Sequence, residues 1–431
     1  MKKYIKYFSS LWLSSLLSSV LAFLLQAVLA RVLTPSGLGE FNSLLTYLLI
    51  FGSIAGFGVD NGLLKIFGRG KRVGNQFGAN IVLYSLLTTS LSFLFVLTTS
   101  VFIFTDVNLS NLLILSPVLI SLVSFNLRSA VLQIEGRYHD LAIWQIINNF
   151  SKLFFISLLY FDLVGVKYIY HLYSSSSIVI LAFSISSFLK VYKGRILQVE
   201  VGFNKITIDG LKEICKISIP FGSAAIAHTI YFQSDIFLLS YLDSAESAGF
   251  YSIAFSILTA VYLFPAVIYQ KVLLPRIHEW SNHNKTMMLV VFQQGNGIML
   301  ILGVLAALMV YFFGGTLILI LFGDKYITSI EYISLLTICI PIRFLISGLG
   351  AVLSTGDLIK RKLNCMIIVA MFNAFLNLLF IPHYGVYAAI ITTILSEILL
   401  AALFLSTIYF KLFGKDTFKY WFRFGGGINN A

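Results

Sequence analysis

Charge is scarce in this sequence. Asp, Glu, Lys and Arg together make up 11% of its 431 residues, against about 25% in soluble domains. With 58% hydrophobic residues and a mean hydropathy of +0.91, a soluble globular protein is excluded. Cysteine is scarce too. Cys215, Cys339 and Cys365 fall in or beside apolar stretches, without metal-type spacing or an extracellular disulfide framework. They read as small buried apolar residues. No GxxxxGK[ST] stretch is present, which excludes ATP hydrolysis by a P-loop. There is also no HExxH and no Cys/His cluster, so neither metal nor cofactor is expected. Alternating ten-residue strands are missing, which argues against an outer-membrane barrel.

What is there is a succession of apolar runs of membrane-spanning length. Twelve helices are expected. The first six are Ser10–Arg31, Phe41–Leu63, Ala79–Phe104, Leu109–Gln133, Leu141–Phe161 and Tyr168–Leu189. The second six are Ile214–Leu242, Ala248–Gln270, Met287–Phe313, Ile327–Leu353, Leu363–Ile381 and Tyr384–Phe410. The N-terminus imitates a signal peptide, with Lys2, Lys3 and Lys6 before an apolar run ending in AVLA. That run is about twenty residues, too long for a signal core, and reads as a retained first helix.

The basic residues test these spans. If the N-terminus is cytoplasmic, 25 of the 30 Lys and Arg lie in cytoplasmic segments or at the helix ends beside them. Only Arg31, Lys167 and Lys325 lie at outer ends. This positive-inside asymmetry supports an even span count with both termini cytoplasmic. It also accounts for the net charge of +12 without nucleic acid. Outer connections of about four to thirteen residues leave little room for the catalytic outer loop of a membrane polysaccharide polymerase.

The longest connection divides the chain into an N-terminal six-helix lobe (1–190), a cytoplasmic linker (191–213), a C-terminal six-helix lobe (214–413) and a cytoplasmic tail (414–431). The halves echo each other: LTPSGLGEFNS after the first span resembles LDSAESAGFYS after the seventh. LQIEGR at Leu132 and LSTGD at Leu353 occupy equivalent inner loops. Such repeats suit a two-lobed transporter with pseudo-two-fold symmetry along the membrane normal. Chance similarity between small-residue turns is the competing reading.

Two basic residues lie inside spans, Lys152 and Arg343. A lysine at mid-bilayer costs roughly 2.5–3.5 kcal/mol on insertion scales, so such groups face cavities, pair, or mark transport paths. Gln145, Asn148 or Asn149, and Lys152 share one face of the fifth span. That stripe reads either as a wet cavity for an anionic substrate or as a bond to a neighbouring helix. Arg343 follows Pro341 in the tenth span, and its planar fork suits phosphate. The competing role is a salt bridge to Glu397 in the twelfth. His228, Tyr231 and Asp235 share a face of the seventh span and are candidates for carrying a proton, or else for local packing. Arg31 reads as a snorkelling end residue or as a phosphate contact at a cavity mouth. Asn373 with Asn377, and Gln293 and Gln294 with Asn296, read as interhelical hydrogen-bonding groups. Pro117, Pro220, Pro265 and Pro341 each interrupt a span.

Three blocks carry a resemblance to a known family. They are ARVLTPSGLGEFNSLLTYLLIFGSIAGFGVDNGLLK (30–65), IPFGSAAIAHTIYFQSDIFLLSYLDSAESAGFYSIAFSI (219–257), and FGDKY followed by NAFLNLLFIPHYGVYAAIITTILSE (373–397). In this order they resemble the polysaccharide exporters of the Wzx type, within the multidrug/oligosaccharidyl-lipid/polysaccharide superfamily. The resemblance implies flipping of a polyprenyl-diphosphate-linked oligosaccharide, an O-antigen or related repeat unit, across a bacterial inner membrane. It implies alternating access around a cationic cavity, proton or sodium coupling in some relatives, and membrane-bound assembly proteins as partners. Its intramembrane charges vary, so Lys152, Arg343, Arg31 and Asn149 as substrate contacts, and Asp235, Glu397 and His228 as ion-coupling groups, rest on position. The rival expectations are a drug or small-cation exporter of the same superfamily and a polysaccharide polymerase.

Overall fold

The computed structural model describes residues 2–198, 205–356 and 358–422, and within them all side chains except those of 2–12, 198, 270–272, 275 and 282. Lys2, Lys3, Lys6, Lys271 and Arg423, the middle of the expected linker (199–204) and the end of the tail (423–431) therefore lie outside the described side chains or residues.

In lipid every backbone polar group must be satisfied within the chain, and helices do this segment by segment. The described residues contain helices and no strand. The first nine helices are α1 (Lys2–Val32), α2 (Pro35–Gly52), α3 (Val59–Gly68), α4 (Lys71–Gln76), α5 (Gly78–Ile103), α6 (Asp106–Leu115), α7 (Pro117–Ile134), α8 (Tyr138–Tyr160) and α9 (Ile169–Tyr192). After the linker come α10 (Ile208–Leu242), α11 (Ala245–Val267), α12 (Leu274–His283), α13 (Lys285–Leu321), α14 (Thr328–Leu336), α15 (Cys339–Val352) and α16 (Leu358–Ile408). The chain is a multi-pass membrane protein. Among the described residues eight helical segments are long and apolar enough to cross a bilayer, nine when the bent pair α14–α15 is counted as one. The expected twelve would further require α10, the broken α2–α3 and a second pass within α16 to cross. That helix has 51 residues and is broken at Gly385 (φ 54°, ψ −133°).

Several breaks have local causes. The second expected span is not continuous: residues 53–58 form turns between α2 and α3, with Gly56 and Gly58 at positive φ. The tenth bends by 44° between α14 and α15. Pro341 lacks the N–H that would bond the Thr337 carbonyl, and the break falls at Thr337–Ile338. After Pro265, α11 widens into a π-helical turn at Ile268–Leu273. Pro220, by contrast, lies inside an unbroken α10.

The chain forms two compact units: residues 1–33 with 41–237, and residues 34–40 with 238–431. Most of α10 thus packs with the first unit, and the first turn of α2 with the second. In the first unit the Cβ missing from Gly58 would lie 2.5 Å from the Gly222 nitrogen, and Gly222 faces the Phe57 ring. These glycines let α3 and α10 approach closely.

The second unit gives the echoed loops a physical basis. Thr34 accepts a hydrogen bond from the Gly37 N–H (3.1 Å), and Ser244 accepts one from the Ser247 N–H (3.1 Å). Both are hydroxyl caps that start a helix. Each is followed five residues later by glycine, Gly39 and Gly249. A Cβ on Gly39 would strike the Ala245 carbonyl oxygen, and one on Gly249 the Pro35 carbonyl oxygen. The inner loops match as well: Gly136 and Gly356 both take positive φ just after a helix end.

Candidate functional site

Lys152 projects from α8 in the first unit, well inside the span. It is half-buried, and its Nζ lies 5.7 Å from the centre of the Tyr173 ring on α9. Tyr173 packs edge-on to Phe41 at 5.3 Å, and Tyr170 lies 5.8 Å from the same ring. No carboxylate lies within 4.0 Å of Lys152 among the described residues. The ring face gives modest compensation for a desolvated cation.

The rest of the stripe on α8 faces α1. Asn149 donates from Nδ2 to the Ser18 carbonyl (2.9 Å) and hydroxyl (2.8 Å), and Ser18 Oγ donates to the Gln145 carbonyl (3.0 Å). The Asn149 amide protons are thus engaged with α1, one turn from Lys152. Arg31, at the last turn of α1, is exposed. On α10, Asp235 is 3% exposed and Tyr231 is buried, while His228 is exposed and stacks on Phe232 at 5.5 Å.

In the second unit Arg343 of α15 has a carboxylate partner. Its Nη2 lies 3.2 Å from Glu397 Oε1 on α16, with 14% and 3% of the two side chains exposed. The guanidinium also sits 5.0 Å from the centre of the Tyr262 ring. The salt bridge weighed for these residues is formed. Removing one member of such a buried pair strands the other charge, at about 3–5 kcal/mol.

Of the polar groups read as helix glue, Asn373, Asn377 and Gln293 are hydrogen-bonded, whereas the buried Asn296 Nδ2 has no partner among the described residues. Asn377 donates to Asn373 Oδ1 (3.2 Å), and Thr392 donates to Asn377 Oδ1. Gln293 donates to the Asp416 carbonyl (2.6 Å). Sequence reasoning missed Lys362, counted only as an inner-surface charge. Its ammonium donates to the Gly350 carbonyl (3.0 Å) and to Ser354 Oγ (2.8 Å), closing the C-terminal end of α15. Its position ten residues past a helix end with a positive-φ glycine between was the available signal. At the basic end of the first unit, Glu135 accepts from Lys190 (2.7 Å), and Arg137 Nε donates to Asp140 (2.6 Å). The Asp140 carboxylate holds the Arg137 guanidinium above its ordinary pKa.

The profile of the polysaccharide biosynthesis protein family matches residues 5–281, well over half of the chain. The chain belongs to that family. No curated protein matches it by sequence. Among solved structures, this member of the polysaccharide biosynthesis family is similar to the lipid II flippase MurJ in an inward closed conformation. The TM-score is 0.73 at 16% identity, covering 96% of this chain and 89% of that one. It is also similar to the MATE multidrug transporter DinF-BH, with TM-score 0.66, 13% identity and coverage of 96% and 95%. An outward-facing MATE transporter of the MOP superfamily gives 0.58 at 12% identity over 92% and 93%. These likenesses establish a shared fold.

Proposed function

We propose that this chain is a flippase that moves a polyprenyl-diphosphate-linked oligosaccharide, an O-antigen or related repeat unit, across the bacterial inner membrane by alternating access. Residues 1–190 and 214–413 act as its lobes, joined by 191–213, with both termini cytoplasmic. The observation that carries this reading is Lys152: a cation inside an apolar span with no carboxylate against it among the described residues. A desolvated ammonium attracts a diphosphate far more strongly than it would in water. The lipid tail stays in the bilayer, and only the anionic headgroup needs a polar route.

Arg343 is the second cation for the headgroup. Glu397 competes with phosphate for it, so the headgroup is released when the ion pair re-forms. Asp235 and His228 are the remaining groups for proton or sodium coupling, and Arg31 and Asn149 flank the headgroup route. Other membrane proteins of polysaccharide assembly deliver and consume the substrate. The test is a genetic replacement in which Lys152→Ala and Arg343→Ala are combined. Loss of surface polysaccharide at normal protein level is expected, with lipid-linked units retained inside; intact export overturns the model.

The buried carboxylates Asp235 and Glu397 favour a second reading, a drug or small-cation exporter. It predicts drug efflux from a sensitised strain, abolished by Glu397→Gln and unaffected by Lys152→Ala. A polymerase is separated by its null phenotype, which still displays single repeat units at the surface.

A further inference from the structure

A second group of basic residues, which includes neither Lys152 nor Arg343, lies in the second unit. A cavity of about 480 Å³ is lined by the N-terminal end of α13, by Thr355, Gly356 and Leu358, and by residues that follow α16. That size falls within the range of about 300–1,000 Å³ common for small-molecule pockets. Lys285 and Lys411 both line it and both are exposed. Neither has a carboxylate within 4.0 Å among the described residues. The acid in the wall, Asp416, is already engaged by Lys419 at 2.8 Å. Ser281 and Thr286 add hydroxyls to the lining. Asn284 caps α13 by accepting from the Met287 N–H (2.9 Å), which leaves the N–H groups of Lys285 and Thr286 without an acceptor in the helix.

The second, independent observation is apolar. Phe418, Tyr420, Trp421 and Phe422 line a separate hollow of about 440 Å³, with Phe418, Tyr420 and Phe422 more than half exposed. This aromatic shelf follows directly from Asp416 and is held against α13. Gln293 bonds the Asp416 carbonyl, and Gly297 has no room for a Cβ beside the Trp421 carbonyl. Exposed aromatic rings beside lysines are the composition of a membrane–water interface.

We propose that this pocket binds the phosphate of an anionic membrane phospholipid, with Lys285 and Lys411 as its charge partners and the aromatic shelf against the glycerol and upper acyl chain. Basic pockets at the ends of membrane helices take such headgroups. Free phosphate shares the charge chemistry but has nothing to place on the shelf, and the lipid uses both.

The experiment is native mass spectrometry of the full chain released from nanodiscs of phosphatidylglycerol and phosphatidylcholine. The wild type is expected to retain phosphatidylglycerol selectively. K285Q and K411Q should each lower that preference roughly fivefold, and together ~25-fold, while Lys→Arg at both positions keeps it. A shelf variant, F418S with Y420S and F422S, should lower lipid retention without changing the response to inorganic phosphate. Undiminished retention by the double Gln variant overturns the proposal. Displacement of the lipid from wild type by inorganic phosphate at comparable concentration overturns the lipid as ligand. Unchanged circular dichroism of these surface variants separates binding from folding.

Discussion

Lys152 and Arg343 are both cations inside apolar helices, and the protein treats them differently. Arg343 is matched to Glu397 at 3.2 Å. Lys152 has an aromatic face at 5.7 Å and, among the described residues, no acid against it. An ion pair formed within one unit lowers the cost of burying arginine and holds α15 to α16. An ammonium without that partner keeps its charge available. One cation is built into the scaffold as found, and the other is not. On the proposed function, the difference makes Lys152 a residue kept for transport rather than for folding.

Stability and transport should therefore separate at these two positions. The largest loss is expected from Glu397→Ala, about 3–5 kcal/mol, because Arg343 is left buried against no carboxylate. Thermal unfolding in detergent measures it, and replacing both members by apolar residues should recover most of the loss. Gly58→Ala comes next at about 1–3 kcal/mol, since Gly58 is at φ 73° and its new Cβ would press on Gly222. Asn149→Ala should cost about 0.5–1.5 kcal/mol through its lost bonds to Ser18. Lys152→Ala should change stability least, by under ~1 kcal/mol, and yet abolish export. If Lys152→Ala destabilises as much as Glu397→Ala, the contrast collapses and Lys152 is scaffold. Arg137→Ala, in an exposed ion pair, sharpens the baseline: an effect of about 0–1 kcal/mol that salt removes.

Much of this was legible in the chain. Apolar run length placed the spans, and Pro341 announced the bend four residues before it. Glu397 stood out as the acid opposite Arg343 in the sequence, and the structure pairs them. The break at 53–58 was not read, because FGSIAGFGV carries no charge and only one polar residue, Ser53. Its density of glycine was the overlooked signal. The partner of Asn149 was beyond reach, since Ser18 lies 131 residues away and nothing in the spacing selects it. The exchange of 34–40 and most of α10 between the units was equally hidden. It depends on glycines that meet only in three dimensions, Gly39 with Gly249 and Gly58 with Gly222.

The clasp on α13 also has a timetable. Gln293 and the Asp416 carbonyl it bonds are 123 residues apart in the chain. At translation rates of about 5–20 residues per second, Gln293 waits roughly 6–25 s after its own synthesis before that carbonyl exists. Through that interval the amide of Gln293 and the bare backbone at Gly297 stand uncovered in a nascent protein. A membrane-embedded chaperone or the insertion machinery has that window to shield them. A chain stalled before Asp416 would keep the window open.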